Sequence, residues 1–327
     1  MFRNLSILIA LFSSTYAWSQ PNAFFKEDNS TKAPNHIEFA LGVTNFLGDL
    51  GGKDGIGTND FRDLEFTEFN FGAMIGYRRA ILKNLYFRTD LAYGRVSGND
   101  NLTKEVFRRN RNLHFRSDIF EINFMPEIWI RIGGKKGHQF NLDRSGGRSG
   151  PWKVRASYLT VFGGLGYFHF NPKAEYMGNW VELQPLHTEG QTYPGGPEAY
   201  RLWGWNVPVG INYMVKMSKK WGFGIELTYR YTFTDYIDDV SGVYYNPADI
   251  KLYDQNNGDM AAYLSNPSLG LVEEGISSNV TAPGQQRGDP TDNDGYMFAM
   301  IKIDYWFDEE KDSKLKWSHS GKRKKRK

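Results

Sequence analysis

Three carboxylates, Asp235, Asp238 and Asp239, fall within five residues. Such a group can give oxygen ligands to a hard cation, or it can accept hydrogen bonds from backbone amides and order a loop. No further ligands accompany it, which favours loop ordering. Nearby, Asp289-Pro-Thr-Asp-Asn-Asp-Gly295 has the composition of a calcium loop, but Pro290 stands where the first carboxylate is needed. It reads as a polar turn. His169, Ser241 and Glu189 supply the groups of a hydrolytic triad, yet nothing in their spacing joins them. The six histidines (His36, His114, His138, His169, His187 and His319) include no pair at metal-ligand spacing, and there is no cysteine. No catalytic site, metal or cofactor is expected.

A second set of charges is distributed differently. Arg78, Arg88, Asp90, Glu121, Glu127, Glu226 and Arg230 each sit between large apolar residues. From Trp221 to Phe233 the chain places Trp221, Phe223, Ile225, Leu227, Tyr229, Tyr231 and Phe233 at alternate positions, with Gly222, Gly224, Glu226, Thr228, Arg230 and Thr232 between them. A period of two marks a β-strand with two chemically different faces. One face suits lipid, and the other, with its glutamate and arginine, suits a polar lumen.

The same pattern predicts eight strands, over residues 36–46, 67–79, 85–96, 114–132, 155–170, 202–217, 221–233 and 296–307. Pro126 and Pro208 fall inside two of them, where a bulge or an irregular stretch is expected. Short connections (80–84 and 218–220) alternate with long ones, the longest covering about 60 residues between the last two strands, and the 133–154 link is of middle length. Outer-membrane barrels have short periplasmic turns and long outer loops, which puts both chain ends in the periplasm. The fold class expected is all-β, an eight-stranded antiparallel transmembrane barrel with long extracellular loops. A barrel of eight strands has room only for side chains. The seven charges would pair across that interior and plug it.

Composition agrees. Aromatic residues make up 16% of the chain while the mean hydropathy is −0.55. Only alternate residues of a barrel face lipid, and polar loops dilute the average. A soluble lipocalin-like barrel would put the larger aromatic face in a core. The strand lengths and the outward Tyr77, Trp205, Trp221 and Tyr305 near strand ends argue against it. Residues 1–19 read as a signal peptide, with Arg3, an apolar run and Ala17-Trp18-Ser19 at a cleavage site. Residues 20–35 form an N-terminal periplasmic segment, 36–307 the barrel and 308–327 a tail. The tail holds nine basic and four acidic residues and ends in Lys322, Arg323, Lys324, Lys325, Arg326 and Lys327. It is a solvated charge run and a candidate contact for an anionic partner. Nucleic acid is not an expected partner in that compartment; outer-membrane lipid is.

Several segments carry a resemblance. FLGDL at 46–50, FNPKA at 170–174, ELQPLHTEGQ at 182–191, FTDYIDDVS at 233–241 and QRG at 286–288 resemble the PorG-like outer-membrane barrels of the Bacteroidetes type IX secretion system. The segment at 233–241 is the most specific. The resemblance implies a structural role: a barrel that associates with the periplasmic ring of PorK and PorN and other components of a machine for protein transport, and for gliding motility in some species. It brings no catalytic residues. Among the motif residues Asp49, Glu189, Asp235, Asp238, Asp239 and Arg287 are candidates for ordering the loops. A surface adhesion or receptor barrel is the alternative.

Overall fold

The computed structural model describes residues 35–50, 69–82, 84–103, 105–133, 156–218, 220–271 and 280–307. The strands are β1 (His36–Leu47), β2 (Asn70–Ala80), β3 (Leu85–Asn99), β4 (His114–Gly133), β5 (Ala156–Gly163), β6 (Leu165–His169), β7 (Pro172–Tyr176), β8 (Asn179–Glu182), β9 (Trp203–Lys216), β10 (Trp221–Thr232) and β11 (Gly295–Trp306). Short helices α1 (Val106–Arg111), α2 (Pro247–Tyr253) and α3 (Gly258–Ser265) lie in the connections.

Every pairing is antiparallel, and the sheet closes on itself. β1 pairs with β2, β2 with β3, β3 with β4, β4 with β5 and β6, these with β9, β9 with β10, β10 with β11, and β11 with β1. Because β5 and β6 are successive halves of one strand, the ring has eight strands and no open edge, as hydrocarbon requires. The first and last strands pair over their full lengths, from His36 opposite Trp306 to Leu47 opposite Gly295.

Polarity is inverted relative to a soluble barrel. Phe39, Leu41, Phe71, Ile75, Leu91, Phe120, Ile211, Phe223, Ile225 and Ile301 are exposed on the outside. Arg78, Arg88, Glu127, Lys302 and Asp304 are buried within. A continuous apolar exterior of this kind is stable only against lipid. Trp221 near one end of β10 and Tyr231 near the other mark a belt about 25 Å tall for strands tilted near 40°.

Neither proline shifts the register. Pro126 pairs opposite Phe87 and Pro208 opposite Arg230 in unbroken ladders. The interruption falls on the strand between them, at Gly164, which separates β5 from β6 while the register on both sides stays the same. The Gly164 N–H donates to Pro208 O at 3.0 Å, and a Cβ there would lie 2.1 Å from the Phe124 carbonyl oxygen. The prolines therefore remove ladder donors without adding a residue. The one register shift in the β4 ladder lies instead between Arg131 and Gly133, at the strand's end.

The β2–β3 and β9–β10 turns share one end of the barrel with His36 and Trp306. The connections at the other end carry β7, β8 and the helices. These elements form a folded cap with its own apolar core, Ala174, Leu183, Leu186, Ile250, Ala261 and Leu264. The expected signal peptide, residues 20–34 of the N-terminal segment, residues 134–154 of the 133–154 link and the basic tail lie outside the described residues.

Candidate functional site: the filled interior and the capped mouth

From the short-turn end upward, the interior is filled in layers. The lowest is aromatic: His36 packs against Trp306, Trp129 and Tyr86 with ring centroids 5.0, 5.3 and 5.6 Å away. Above it lies an ion-pair network. Arg78 reaches Glu38 at 2.5 Å and both Glu127 and Asp304 at 2.6 Å. Arg88 reaches Glu226 at 2.7 Å, Asp90 at 3.0 Å and Glu127 at 3.1 Å. Lys302 joins Glu226 at 2.6 Å and also contacts Glu38.

A second layer centres on Glu121. It accepts from Arg230 at 2.6 Å, Tyr296 Oη at 2.8 Å and Asn206 Nδ2 at 3.1 Å. The next layer is apolar, with Phe46, Phe115, Ile119, Phe168 and Phe298 buried together. A low-dielectric interior holds such charges only when each is paired and hydrogen-bonded.

Glu38, Lys302 and Asp304 complete the network but are absent from the seven charges selected by sequence. The signal was present in the alternation, since Glu38 lies between the outward Ile37 and Phe39, and Lys302 between Ile301 and Ile303.

At the long-loop mouth the second set of residues converges. Arg287 donates to Glu189 Oε1 at 2.9 Å and to the Asp239 carbonyl at 2.5 Å. Glu189 also accepts the backbone amides of Ser241 at 2.9 Å and Gly242 at 3.2 Å. Asp238 accepts from the amides of Leu50 and Val240, each at 2.9 Å. Asp239 accepts from Tyr200 Oη at 2.6 Å and from Thr188. Its backbone is left-handed, with φ 67°, a conformation that aspartate tolerates better than most residues. Asp49 accepts the Asp289 amide at 2.8 Å.

Sequence reading missed two members of this cluster. Asp294 accepts the Ile237 amide at 2.8 Å. Arg111, held to Asp100 at 2.8 Å, donates to the carbonyls of Asp49 at 2.8 Å and Arg287 at 2.7 Å. Five segments far apart in sequence are thus tied at one place. Beside them lies a cleft of about 470 Å³ lined in part by Asp49, Arg108, Arg111, Tyr244, Arg287 and Asp289.

The cluster has more carboxylates than cations. Burial, with Asp49 and Glu189 close by, pushes Asp235 up to about 8. Burial and the charges of Asp49 and Asp235 raise Asp238 well above the usual carboxylate range, and Asp294 rises likewise beside Asp238 and Asp235. Burial lifts Asp49 and Asp239 to about 6, in the second case against the pull of Arg287. Protons therefore balance part of this charge. Among the described residues no three metal-ligating side chains converge on a point.

His169 is not in the cluster. Its ring packs on Trp203 with centroids 4.5 Å apart, on the barrel exterior. Glu189 and Ser241 are bound to each other through a backbone amide instead. The geometry can close a barrel and order a cap.

No family model and no curated protein matches the chain. Among solved structures it is similar to Ail, the attachment invasion locus protein of Yersinia pestis, at 9% identity and TM-score 0.33, covering 85% of this chain and 100% of that one. It is also similar to Neisserial surface protein A at 7% identity and TM-score 0.32 (84% and 98% covered), and to the N-terminal β-barrel domain of Pseudomonas aeruginosa OprF at 7% and 0.30 (84% and 98%). At such low scores the barrel assignment rests on the closed strand ring and the inverted polarity of the chain itself.

Proposed function

We propose that this chain is an outer-membrane anchoring subunit of the type IX protein secretion and gliding machinery. On this reading both chain ends are periplasmic, and the short-turn end meets the ring of PorK and PorN. The observation that carries the anchoring role is the interior filled from Trp306 to Phe298. A barrel packed in this way is a fixed body in the membrane rather than a conduit. The assignment to type IX secretion is supported by the five motif segments, whose residues Asp49, Glu189, Asp238, Asp239 and Arg287 hold the cap together. Deletion of the gene should abolish secretion of cargo with a type IX C-terminal signal domain, and a tagged chain should co-purify with the ring proteins from solubilised envelopes. Normal secretion in the deletion strain would remove the assignment.

One observation favours a second reading, a surface adhesion or receptor barrel. The cap is folded and presents Leu252, Tyr253 and Tyr263 to solvent. Protease shaving of whole cells that trims the 233–294 connection and abolishes ligand binding, with secretion intact, would support it.

A further inference from the structure

The cleft beside the cap cluster has two walls, each held by its own hydrogen bonds. One is the start of α1, where the Glu105 carboxylate accepts the backbone amides of Phe107 at 3.1 Å and Arg108 at 2.6 Å. The other is the stretch 285–289. A β-bridge between Val243 and Gln286 fixes it. So do bonds from the Tyr244 amide to Gln285 O at 2.9 Å and from the Arg287 amide to Gly242 O at 2.8 Å.

Arg111 joins the walls. From α1 it donates to the carbonyls of Arg287 at 2.7 Å and Asp49 at 2.8 Å. The cleft is therefore pre-formed, and its volume of about 470 Å³ falls in the span of small-ligand sites, about 300–1,000 Å³.

The lining selects a chemical class. Gln285 and Gln286 are exposed amides, each able to donate and to accept. Asp289 and Asp292 are exposed acceptors on one turn, the Asp292 amide donating to Asp289 O at 3.1 Å. An anionic ligand would be repelled by these two carboxylates and a cationic one by Arg108 and Arg111, which line the same space. Apart from the buried Tyr244, Phe107 and Val280 are the large apolar side chains among the described lining residues, so an apolar ligand finds little to cover it. A neutral, hydroxyl-rich molecule suits all of these groups. Each hydroxyl both donates and accepts, and the C–H face of a sugar ring complements the negative face of an aromatic ring such as the exposed Phe107.

We propose that this cleft binds a short neutral saccharide. Phe107 stacks on one face of a sugar ring, and Gln285, Gln286, Asp289 and Asp292 bond its hydroxyls. The ring-to-wall ties through Arg111 hold these groups in place before the sugar arrives, which lowers the ordering cost of binding. The proposal stands apart from the type IX assignment, since it rests on the cleft alone and is read by a different measurement.

The test uses the full processed chain, refolded in detergent, on an array of neutral oligomers of glucose, galactose, mannose and N-acetylglucosamine together with sulfated and sialylated oligosaccharides. The chain should be retained by neutral glycans, and titration calorimetry with a retained glycan should give saturable binding. F107A, and separately the double variant Q286A/D292A, should each weaken that binding about fivefold or more, the worth of one aromatic contact or of one or two hydrogen bonds. All three side chains are exposed, and heat-shifted gel migration checks that each variant has a folded barrel. Y263A, which removes an exposed aromatic ring that does not line the cleft, should bind as the wild type does. Competition by polysaccharide released from the cell's own envelope supports the proposal with an envelope source, and binding without such competition supports it with an external one. Retention of no glycan, retention of the anionic glycans alone, or neutral-glycan binding unchanged in F107A and in Q286A/D292A would overturn it.

Discussion

Arg287 and Glu189 are separated by 98 positions in the chain, and their buried side chains meet at 2.9 Å. The pair joins the long connection before β11 to the connection between β8 and β9, and both groups also hold backbone. Removing one partner leaves the other buried and uncompensated, which costs about 3–5 kcal/mol. R287A should therefore release the cap while the barrel stays closed. Hydrogen exchange over residues 235–242 should rise by orders of magnitude, with strand amides unchanged. Uniform protection in both regions would contradict the role given to this pair.

Gly288 tests the same junction by crowding. A Cβ at this position would lie 2.2 Å from Asp49 Oδ2 and 2.8 Å from the Ser241 amide nitrogen. G288A should break the bond from the Asp289 amide to Asp49 and expose the connection to protease. Cleavage at the wild-type rate would show that the approach is looser than described.

The interior network gives a prediction about conduction. Arg88 touches Glu226, Asp90, Glu127 and Glu38. R88M should lower barrel stability by about 3 kcal/mol or more, because several carboxylates lose their nearest cation. The unfolding midpoint in urea measures this. Planar bilayers with the wild-type chain should show no steady conductance, because the aromatic and apolar layers remain even where the ion pairs admit water.

Stability of the cap should depend on pH, and the direction follows from Asp235. Folded, it keeps a proton up to about pH 8, whereas the exposed group releases it near 3.8. The folded state binds the extra proton between those values, so this contribution is complete below the lower one and is lost as pH rises to the higher. Asp49 and Asp239 act in the same sense up to about 6. Ser241, Asp49, Glu189, Asp289, Asp238 and Asp294 surround Asp235, and the charges of Asp49, Glu189 and Asp289 oppose its ionisation. Exchange protection over 235–241, corrected for intrinsic rates, should be greater at pH 5 than at pH 9. Asp235→Asn should flatten much of the difference.

The barrel was legible because two environments impose a strict period of two. Phe223, Ile225 and Leu227 must face lipid, so the intervening Gly222, Gly224 and Glu226 must face inward. The same logic extends to Glu38 and Lys302, which belong to strands whose outward faces are equally clear. The cap was much less legible. Helices α2 and α3 and the β7–β8 hairpin are short, and their residues carry no sustained period. Asp294 and Arg111 act through backbone groups brought together by the ring, and local spacing does not encode such contacts. The prolines were misread because the break they impose appears on the neighbouring strand, at Gly164.

The most direct test of lipid outside and charge inside is tryptophan quenching by lipids brominated along the acyl chain. Chains retaining only Trp205, only Trp221 or only Trp129 would be reconstituted in such bilayers. Trp205 and Trp221 are exposed on the exterior, and Trp129 is buried against His36 and Tyr86. Strong quenching of the first two with weak quenching of Trp129 is the predicted result. Equal quenching of all three, or quenching of Trp129 alone, would contradict it.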